Sequence, residues 1–370
     1  MGGARASQAR EKSRGAVVDV LQRLKEKEEG FMSKKIAVLG TGANGSCIAA
    51  DLVRAGLDVT LIDQWPAHVE TMRRDGLSIA LPDEEIHVEV DAQHLCDLCS
   101  LNRVFDVVLI VVKAFDTRWT AELIKPYLAE DAIVVGVQNG MTADDIAEIV
   151  GPSRTIACVV ELASQIFEPG KVRRSLTHAK TWFGLGALDP SMKARLPEIE
   201  EIMKHVGRIS INDHIRSAKW MKLMVNSMTC GSMLGLNNSE AIKLPGMREF
   251  MLKCGEEALR AGQLQGHTLE PIFGLTRDDI DGSNQLLEML LDNIVKAVGT
   301  TSVDMVRQDH MKGRYSEIDL INGAVVTENA KRGEASPANE VVVAITQRIR
   351  AGELTPDPSN WDIARTMLRG

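Results

Sequence analysis

The sequence is poor in aromatic residues and contains no long hydrophobic run. Phe, Trp and Tyr make up 4% of the 370 residues, and the apolar run at residues 107–112 is far shorter than the ~20 residues of a membrane-spanning helix. Positive charge is not in excess: 43 Lys and Arg stand against 51 Asp and Glu, which argues against a broad nucleic-acid-binding surface. The length of 370 residues is enough for about two domains, and 44% hydrophobic residues are enough to fill their cores, so we expect a soluble protein of two-domain size.

Cysteines are few and scattered. The six occur at positions 47, 96, 99, 158, 230 and 254, and no signal peptide precedes them, so we expect reduced thiols in a cytoplasmic protein. Cys96 and Cys99 have the two-residue gap of a zinc or redox pair, but no second pair follows, and His87 and His94 precede the pair. We therefore expect no metal site and interpret the pair as part of a turn.

The first 31 residues differ from the rest of the chain. They carry seven basic and five acidic residues without an apolar core, which does not fit a transit or signal peptide, and Ala6 replaces the Ser or Thr of a myristoylation signal. A strand-like run begins shortly after Met32. We predict a flexible extension over 1–31, then one domain over 32–209, a second over 210–350 and a C-terminal tail over 351–370.

The residues up to about 161 alternate short β-branched runs with helical stretches. Strands are predicted at 36–39, 58–62, 107–112, 132–137 and 155–161, with a β excursion in the segments LSIAL and HVEV. Such alternation is typical of a mostly parallel, doubly wound α/β sheet covered by helices on both faces. Beyond about residue 210 the segments are long, 3.6-periodic and rich in Leu, Met, Glu and Ala, which predicts an all-helical second domain.

A glycine-rich segment follows the first predicted strand and begins a predicted helix: Gly40-Thr-Gly42-Ala43-Asn44-Gly45. Glycines at this spacing allow a tight turn, close approach of the backbone to a pyrophosphate, and packing of the helix on the strand. The N-terminus of the helix would then face the phosphates. The segment predicts a Rossmann-type dinucleotide site, and the alternative is a glycine-rich turn that binds nothing.

Two charged residues follow predicted strands at the same edge of the sheet. Asp63 ends the second strand, 18 residues after Gly45, where a carboxylate accepts hydrogen bonds from the adenosine ribose and repels a 2′-phosphate. Gln64 follows it and the turn has no arginine, which favours NAD(H) over NADP(H). Lys113 ends the third strand, where ligands bind in open α/β sheets. The alternatives are a surface turn for Asp63 and a solvated strand end for Lys113.

Other polar residues could act on a carbonyl substrate. Asn139 could donate a hydrogen bond to the substrate or to the cofactor carboxamide, or simply form an Asn-Gly turn. Lys222 and Asn226 lie four residues apart on one face of a predicted helix that is otherwise apolar. Burial lowers the pKa of a lysine, so Lys222 could protonate a carbonyl oxygen as hydride reaches the carbon. Alternatively, it reaches the surface beside Lys219.

Glu317 is the candidate carboxylate. Ser316 and Asp319 have the spacing of a capping box, which predicts a helix that begins there with Glu317 in its first turn. Glu317 could complement the helix dipole, hold a substrate hydroxyl, or pair with Lys222 and tune its pKa.

Five segments, taken in order, resemble the ketopantoate reductase (2-dehydropantoate 2-reductase-like) family. They are GTGANG, VVKAF, VQNGM, KWMKLMVNS and KGRYSEIDLINGAVV, and the resemblance spans residues 35–350. It implies a Rossmann domain and a helical domain with the active site in the cleft between them, and reduction of a 2-keto acid by nicotinamide hydride. By position, the resemblance implies Lys222 as the proton donor, Asn139 and Asn226 facing cofactor and substrate, and Glu317 engaging the substrate hydroxyl.

The chain departs from the family pattern around the expected ligands. Cys230 stands where the family commonly has a second substrate asparagine, and Met305 where it has a serine that contacts pantoate, although Ser302 is near. Gln64, beside Asp63, stands where the family has its usual NADP-binding arginine. We expect Cys230 and Met305 to line a less polar substrate pocket that suits a larger or more apolar keto or hydroxy acid.

The leading hypothesis is an NAD(P)-dependent dehydrogenase or reductase of this family that acts on a 2-keto or 2-hydroxy acid or a related secondary alcohol. One alternative is a 3-hydroxyacid or polyol-type dehydrogenase with a larger apolar substrate, and another is a non-catalytic NAD(H)-binding sensor. The joint presence of Lys222, Asn226 and Glu317 argues against the sensor. We expect a small-molecule substrate and no nucleic-acid or membrane partner, while homodimer formation stays open.

Overall fold

The computed structural model describes residues 34–272, 274–281, 285–298 and 303–369. The predicted extension over 1–31, the start at Met32, and Ser302 lie outside these ranges. The strands are β1 (Lys35–Leu39), β2 (Asp58–Asp63), β3 (Leu77–Ala80), β4 (Glu85–Val88), β5 (Asp91–His94), β6 (Phe105–Ile110), β7 (Leu128–Gly136), β8 (Thr155–Glu161), β9 (Ser164–Glu168), β10 (Lys171–Arg174), β11 (Trp182–Ala187) and β12 (Arg208–Ile211).

The α-helices divide between the two parts of the chain. Those of the first part are α1 (Ala43–Arg54), α2 (Pro66–Asp75), α3 (Thr117–Ile124), α4 (Ala143–Val150) and α5 (Leu196–Met203). Those of the second part are α6 (Ile215–Ser227), α7 (Asn238–Ala241), α8 (Met247–Leu264), α9 (Arg277–Asp281), α10 (Leu286–Val298), α11 (Met305–Met311), α12 (Asn322–Ala330), α13 (Pro337–Arg350) and α14 (Asn360–Met367).

Eight strands form the main sheet in the order β12-β11-β8-β7-β6-β1-β2-β5. Neighbouring strands are parallel except for the antiparallel pair β8 and β11. The apolar runs of β1 and β6 are fully buried because helices cover both faces of the sheet. The predicted mostly parallel, doubly wound fold is therefore confirmed. Since β2 and β6 lie on opposite sides of β1, a crevice opens at the carboxyl ends of β1 and β6, where ligands bind in such sheets.

A second, four-stranded sheet has the order β4-β3-β10-β9. It includes the predicted β excursion, but the sequence patterns predict neither β5 of the main sheet nor β9 to β12. One physical reason is that the buried end of β10 is polar, so the strand lacks an apolar pattern. Arg174 is fully buried there. Its charge is compensated by an ion pair with Asp51 on α1, in which Nη1 lies 2.6 Å from Oδ2.

The second part of the chain forms a helical core around α6, α8 and α13, and within the described ranges no strand follows Ile211. The sequence analysis predicts a tail after residue 350, but α14 packs onto this core. Trp361 is buried, and its Nε1 donates to the Pro245 carbonyl at 3.0 Å. The buried Asn360 amide donates to the Met233 carbonyl at 2.9 Å. No helix among the described residues is both long and apolar enough to span a bilayer.

Candidate active site

A cavity of about 190 Å³ opens where the strands β1, β2, β6 and β7 end. Its first wall comes from the glycine-rich turn and the strand ends, and includes Gly40, Gly42, Ala43, Asn44, Asp63, Lys113 and Asn139. Its opposite wall comes from α11 and the turn that follows it, and consists of Met305, Gln308, Asp309, Lys312, Arg314 and Glu317. The two parts of the chain therefore form one cleft, and most of the predicted site residues line it.

The glycine-rich turn is shaped by two close approaches and leaves one open space. Gly40 has φ +91°, and a Cβ built on it would lie 2.6 Å from the Val112 nitrogen. A Cβ on Gly45 would lie 2.1 Å from the Gly40 carbonyl oxygen, so α1 packs closely on the turn. A Cβ on Gly42, in contrast, would meet no atom of the described residues within 4 Å. The space in front of the N-terminus of α1 therefore fits a phosphate group.

Asp63 is held at the end of β2 and lines the cavity. It is 7% exposed, which does not fit the alternative of a surface turn. Its Oδ1 accepts from the Trp65 N–H at 2.8 Å, and its Oδ2 accepts from the Thr41 hydroxyl at 3.3 Å. These contacts orient a carboxylate beside the glycine-rich turn, as ribose recognition requires.

His68, for which the sequence offers no prediction, holds the main chain of the glycine-rich turn in place. Its Nε2–H donates to the Thr41 carbonyl at 2.8 Å, and its Nδ1 accepts from the Gly170 N–H at 2.9 Å. The tautomer follows from these partners, since a carbonyl only accepts and a main-chain N–H only donates. Burial lowers the pKa of His68 and so favours the neutral ring, against the charge of Asp63.

Lys113 joins the two walls of the cleft. Its Nζ lies 2.7 Å from Oδ2 of Asp309 and 3.3 Å from Oε2 of Glu317, and both carboxylates are nearly completely buried. Burial favours loss of the lysine proton, but the charges of Glu317 and Asp309 outweigh it and raise the pKa of Lys113. The alternative of a solvated strand end does not fit these contacts. The sequence contains Asp309 without any local signal for this role.

Glu317 is held in place, but not by the predicted helix start. Residues 317–320 form a single 3-10 turn, and the Ser316 side chain makes no capping bond. The expected capping box fails because Asp319 accepts instead from Gln347 at 2.8 Å and Arg350 at 3.0 Å. Oε1 of Glu317 accepts from the main-chain N–H of residue 114 at 2.9 Å. Glu317 forms its ion pair with Lys113, and not with Lys222.

Asn139 connects the predicted catalytic helix to the cavity. Its Oδ1 accepts from Nδ2 of the buried Asn226 at 3.1 Å, and its own Nδ2 lies 3.3 Å from the Met305 sulfur. Asn139 and Met305 both line the cavity. Three of the predicted site residues therefore meet here.

Lys222 lies on α6 one turn before Asn226 and is half-buried. Burial lowers its pKa to about 8, against the opposing charge of Glu161. Lys222 is not among the described residues that line the cavity, but Val160, next to Glu161, does line it. The pKa of Lys222, about 8, lies in the range of acid–base catalysis.

Lys219, taken in the sequence analysis as a surface lysine, is 3% exposed. Its Nζ donates to the carbonyl of Gln138 at 2.9 Å and to that of Cys158 at 3.1 Å. Burial lowers its pKa to about 8. Lys219 therefore connects α6 to the residue that precedes Asn139. A single sequence offers no signal for this position, because the partners are main-chain carbonyls.

Cys230 lies in the helical core and does not line the cavity, so the prediction that it lines the substrate pocket is wrong. Its side chain is fully buried, with Sγ 3.5 Å from the Ser227 carbonyl and 3.9 Å from Sγ of Cys254. The reason is that α6 ends before Cys230, and the chain then turns into the core. Among the described residues no three His, Cys, Asp or Glu side chains are grouped to hold a metal ion.

Fold and site together define the class: an oxidoreductase with a doubly wound dinucleotide-binding domain and a helical second domain that closes the cleft. The comparisons with known proteins place it further. The family model described as ketopantoate reductase PanE/ApbA matches residues 36–187, and the model of the C-terminal part of that family matches residues 214–350. The chain belongs to the ketopantoate reductase family, as the sequence resemblance predicts.

Individual relatives match over nearly their whole length. The 2-dehydropantoate 2-reductase of Vibrio cholerae is 27% identical and that of Aquifex aeolicus 24%, over 86% and 87% of this chain and 97% and 98% of theirs. A ketopantoate reductase structure from Ralstonia eutropha is 27% identical with a TM-score of 0.72, over 86% of this chain and 99% of that one. A D-mandelate dehydrogenase structure with NADH and anilino(oxo)acetate shares the fold at 21% identity, with a TM-score of 0.75 and the same coverage.

Proposed function

We propose that this protein uses NADH to interconvert a 2-keto acid and the corresponding 2-hydroxy acid, with Lys222 as the proton donor. The observation that carries the proposal is the chain of contacts from α6 to the cavity, in which Asn226 bonds Asn139 beside the glycine-rich turn. Relatives named 2-dehydropantoate 2-reductase, and a structural neighbour that binds NADH, support the reaction class.

The residues of the first wall fit a nicotinamide dinucleotide. Gly40, Gly42, Ala43, Asn44 and Gly45 form a turn with room for a pyrophosphate at the N-terminus of α1. Asp63 would accept from the ribose hydroxyls and repel a 2′-phosphate, which favours NADH. When bound, the cofactor supplies the hydride.

The remaining residues would bind the substrate and move a proton. Asn139 and Asn226 would orient the keto acid, and Lys222 would donate its proton to the carbonyl oxygen. Lys113 and the N–H of residue 114 hold the Glu317 carboxylate so that it can accept from a substrate hydroxyl.

The proton donor is tested with Lys222→Met. We expect kcat to fall at least ~100-fold, the usual contribution of a general acid, while NADH binding measured by fluorescence changes little. The matched control is Lys204→Met, an exposed lysine at the end of α5, which should leave kcat unchanged. A Lys222→Met variant with nearly normal kcat would show that another group donates the proton.

The cofactor preference is tested by comparing kcat/KM for NADH and NADPH. We expect the higher value with NADH, and we expect Asp63→Asn to reduce kcat/KM for NADH more than for NADPH, because it removes a negative charge next to the ribose. A clear preference of the unmodified protein for NADPH would contradict this assignment of Asp63.

The substrate class follows from Met305, whose thioether lies beside Asn139 in the cavity wall. Because an apolar side chain leaves a polar substrate group unpaired, we expect aromatic or branched apolar 2-keto acids to be reduced more efficiently than ketopantoate. Met305→Ser should shift kcat/KM toward ketopantoate. A panel of 2-keto acids, 3-hydroxy acids and polyols, followed by nicotinamide absorbance, measures the order directly. Turnover of 3-hydroxy acids or polyols alone would favour the alternative dehydrogenase class.

A further inference from the structure

Two cations of the second wall face the adenosine side of the cleft. Lys312 and Arg314 lie in the turn after α11 and line the same cavity as Asp63, Gln64 and Trp65, the residues that end β2 and precede α2. The Arg314 guanidinium carbon lies over the Trp65 ring, 5.4 Å from its centroid. The helical domain therefore brings an arginine to the place where the first domain has none.

The main chain holds this arginine in position. Gly313, with φ +61°, turns the chain at the end of α11, and the N–H of residue 314 donates to the Asp309 carbonyl at 2.8 Å. Asp309 is itself fixed by its ion pair with Lys113. Arg314 thus extends from a backbone that is connected to both walls of the cleft.

The Arg314 guanidinium has no anion among the described residues. The guanidinium lies over the Trp65 ring and makes no ion pair with a described carboxylate, whereas Lys113 pairs with two carboxylates. The neighbouring Lys312 has a pKa lowered to about 8, first by burial and then by the charges of Arg314 and Lys113. Mutual repulsion of the cations at this end of the cleft is the state that an anionic phosphate would relieve.

We propose that Arg314 recognises the 2′-phosphate of NADPH from the helical domain, so that the protein accepts NADPH beside the NADH that Asp63 favours. The inference rests on the proposed function, because it assumes that the adenosine ribose lies at Asp63. A planar guanidinium can bind two phosphate oxygens at once. Its place over the Trp65 ring holds the Arg314 guanidinium beside the residues that end β2. Cofactor choice is then set by two residues on opposite walls.

The experiment uses adenosine 2′,5′-bisphosphate and ADP as probes, so that no turnover is needed. Binding is measured by calorimetry for the unmodified protein, Arg314→Met and Arg314→Lys. We expect Arg314→Met to raise the Kd of the 2′,5′-bisphosphate at least about tenfold and that of ADP less than about threefold. Arg314→Lys should lie between, since it keeps the charge but loses the bidentate geometry. Methionine preserves an apolar contact with Trp65, so the variant removes the charge and the hydrogen-bond donors but not the packing on the ring.

The matched control is Arg216→Met, which removes the same charge from an exposed arginine paired with Asp144 outside the cavity wall. It should change neither Kd, because salt screens charges that lie farther than about 10 Å apart. Equal changes of both Kd values in Arg314→Met, or no change in either, would overturn the inference while leaving the dinucleotide site intact. If the unmodified protein binds neither probe, the proposed function and the inference both fail.

Discussion

Two lysines near the cleft, the partly exposed Lys113 and the buried Lys219, have different electrostatic surroundings. Lys113 has two carboxylates beside it, and its pKa is raised. Lys219 donates to two main-chain carbonyls, and its pKa is lowered to about 8. Carbonyl dipoles compensate a buried ammonium less than a full opposite charge does. Lys219 therefore positions the segment before Asn139 at a cost in stability that depends on pH.

The pH dependence of stability tests this role of Lys219. Its pKa in the folded protein, about 8, lies below the ordinary 10.5, so the unfolded state binds more protons between these pH values. The free-energy cost of burying the charged Lys219 is therefore largest below pH 8 and falls as the pH rises toward 10.5. We expect the free energy of unfolding of the unmodified protein to gain ~2 kcal/mol relative to Lys219→Met between pH 8 and pH 9.5. Urea unfolding at several pH values measures the difference, and parallel curves would contradict the shift.

At the scale of elements, the short helix α11 and the turn after it form most of the second wall. Met305 at its start contacts Asn139, Gln308 donates to the Ser164 carbonyl at 3.1 Å, and Asp309 pairs with Lys113. A helix of seven residues gains little stability by itself, so these contacts hold it.

A double-mutant cycle tests the ion pair between Lys113 and Asp309. Lys113→Met leaves buried carboxylates without a cation, which costs 3–5 kcal/mol in fully buried pairs, but Lys113 is about one-third exposed. We therefore expect about 2 kcal/mol, after allowing for screening by water. Asp309→Asn in addition should restore part of the loss, with a coupling of at least ~1 kcal/mol in urea unfolding. Additive effects would show that the pair contributes nothing.

At the scale of the whole molecule, the cleft contains side chains of both domains, so a ligand there should stabilise the complete fold. NADH at 100 times its Kd should raise the free energy of unfolding by ~2.7 kcal/mol, which thermal unfolding detects as an increase in Tm. Gly42→Ala is the informative variant: its Cβ meets no described atom within 4 Å, so the ligand-free Tm should stay the same. The added methyl group occupies the space for the phosphate, so the NADH-dependent increase should disappear. A full increase in Gly42→Ala would place the cofactor elsewhere.

Local chemistry in the sequence determined the first domain and the position of its glycine-rich turn. The predicted strands at 36–39 and 58–62 and the glycine-rich turn follow from periodicity and from backbone geometry that only glycine allows, and both depend on near neighbours in the chain. The helical character after residue 210 followed in the same way. Even α14 has helical periodicity, but whether a terminal segment packs depends on the surface that Trp361 meets.

Tertiary structure alone decided how the polar residues of the cleft pair. Lys113 and Asp309 are 196 residues apart in the chain, and Lys219 meets a carbonyl 81 residues away, so no local pattern contains either contact. Cys230 shares a segment with Asn226 yet lies in the core, since the direction of a side chain after a helix end depends on the packing around it. The chemistry of the residues is therefore readable from the sequence, whereas their partners depend on how the two domains pack together.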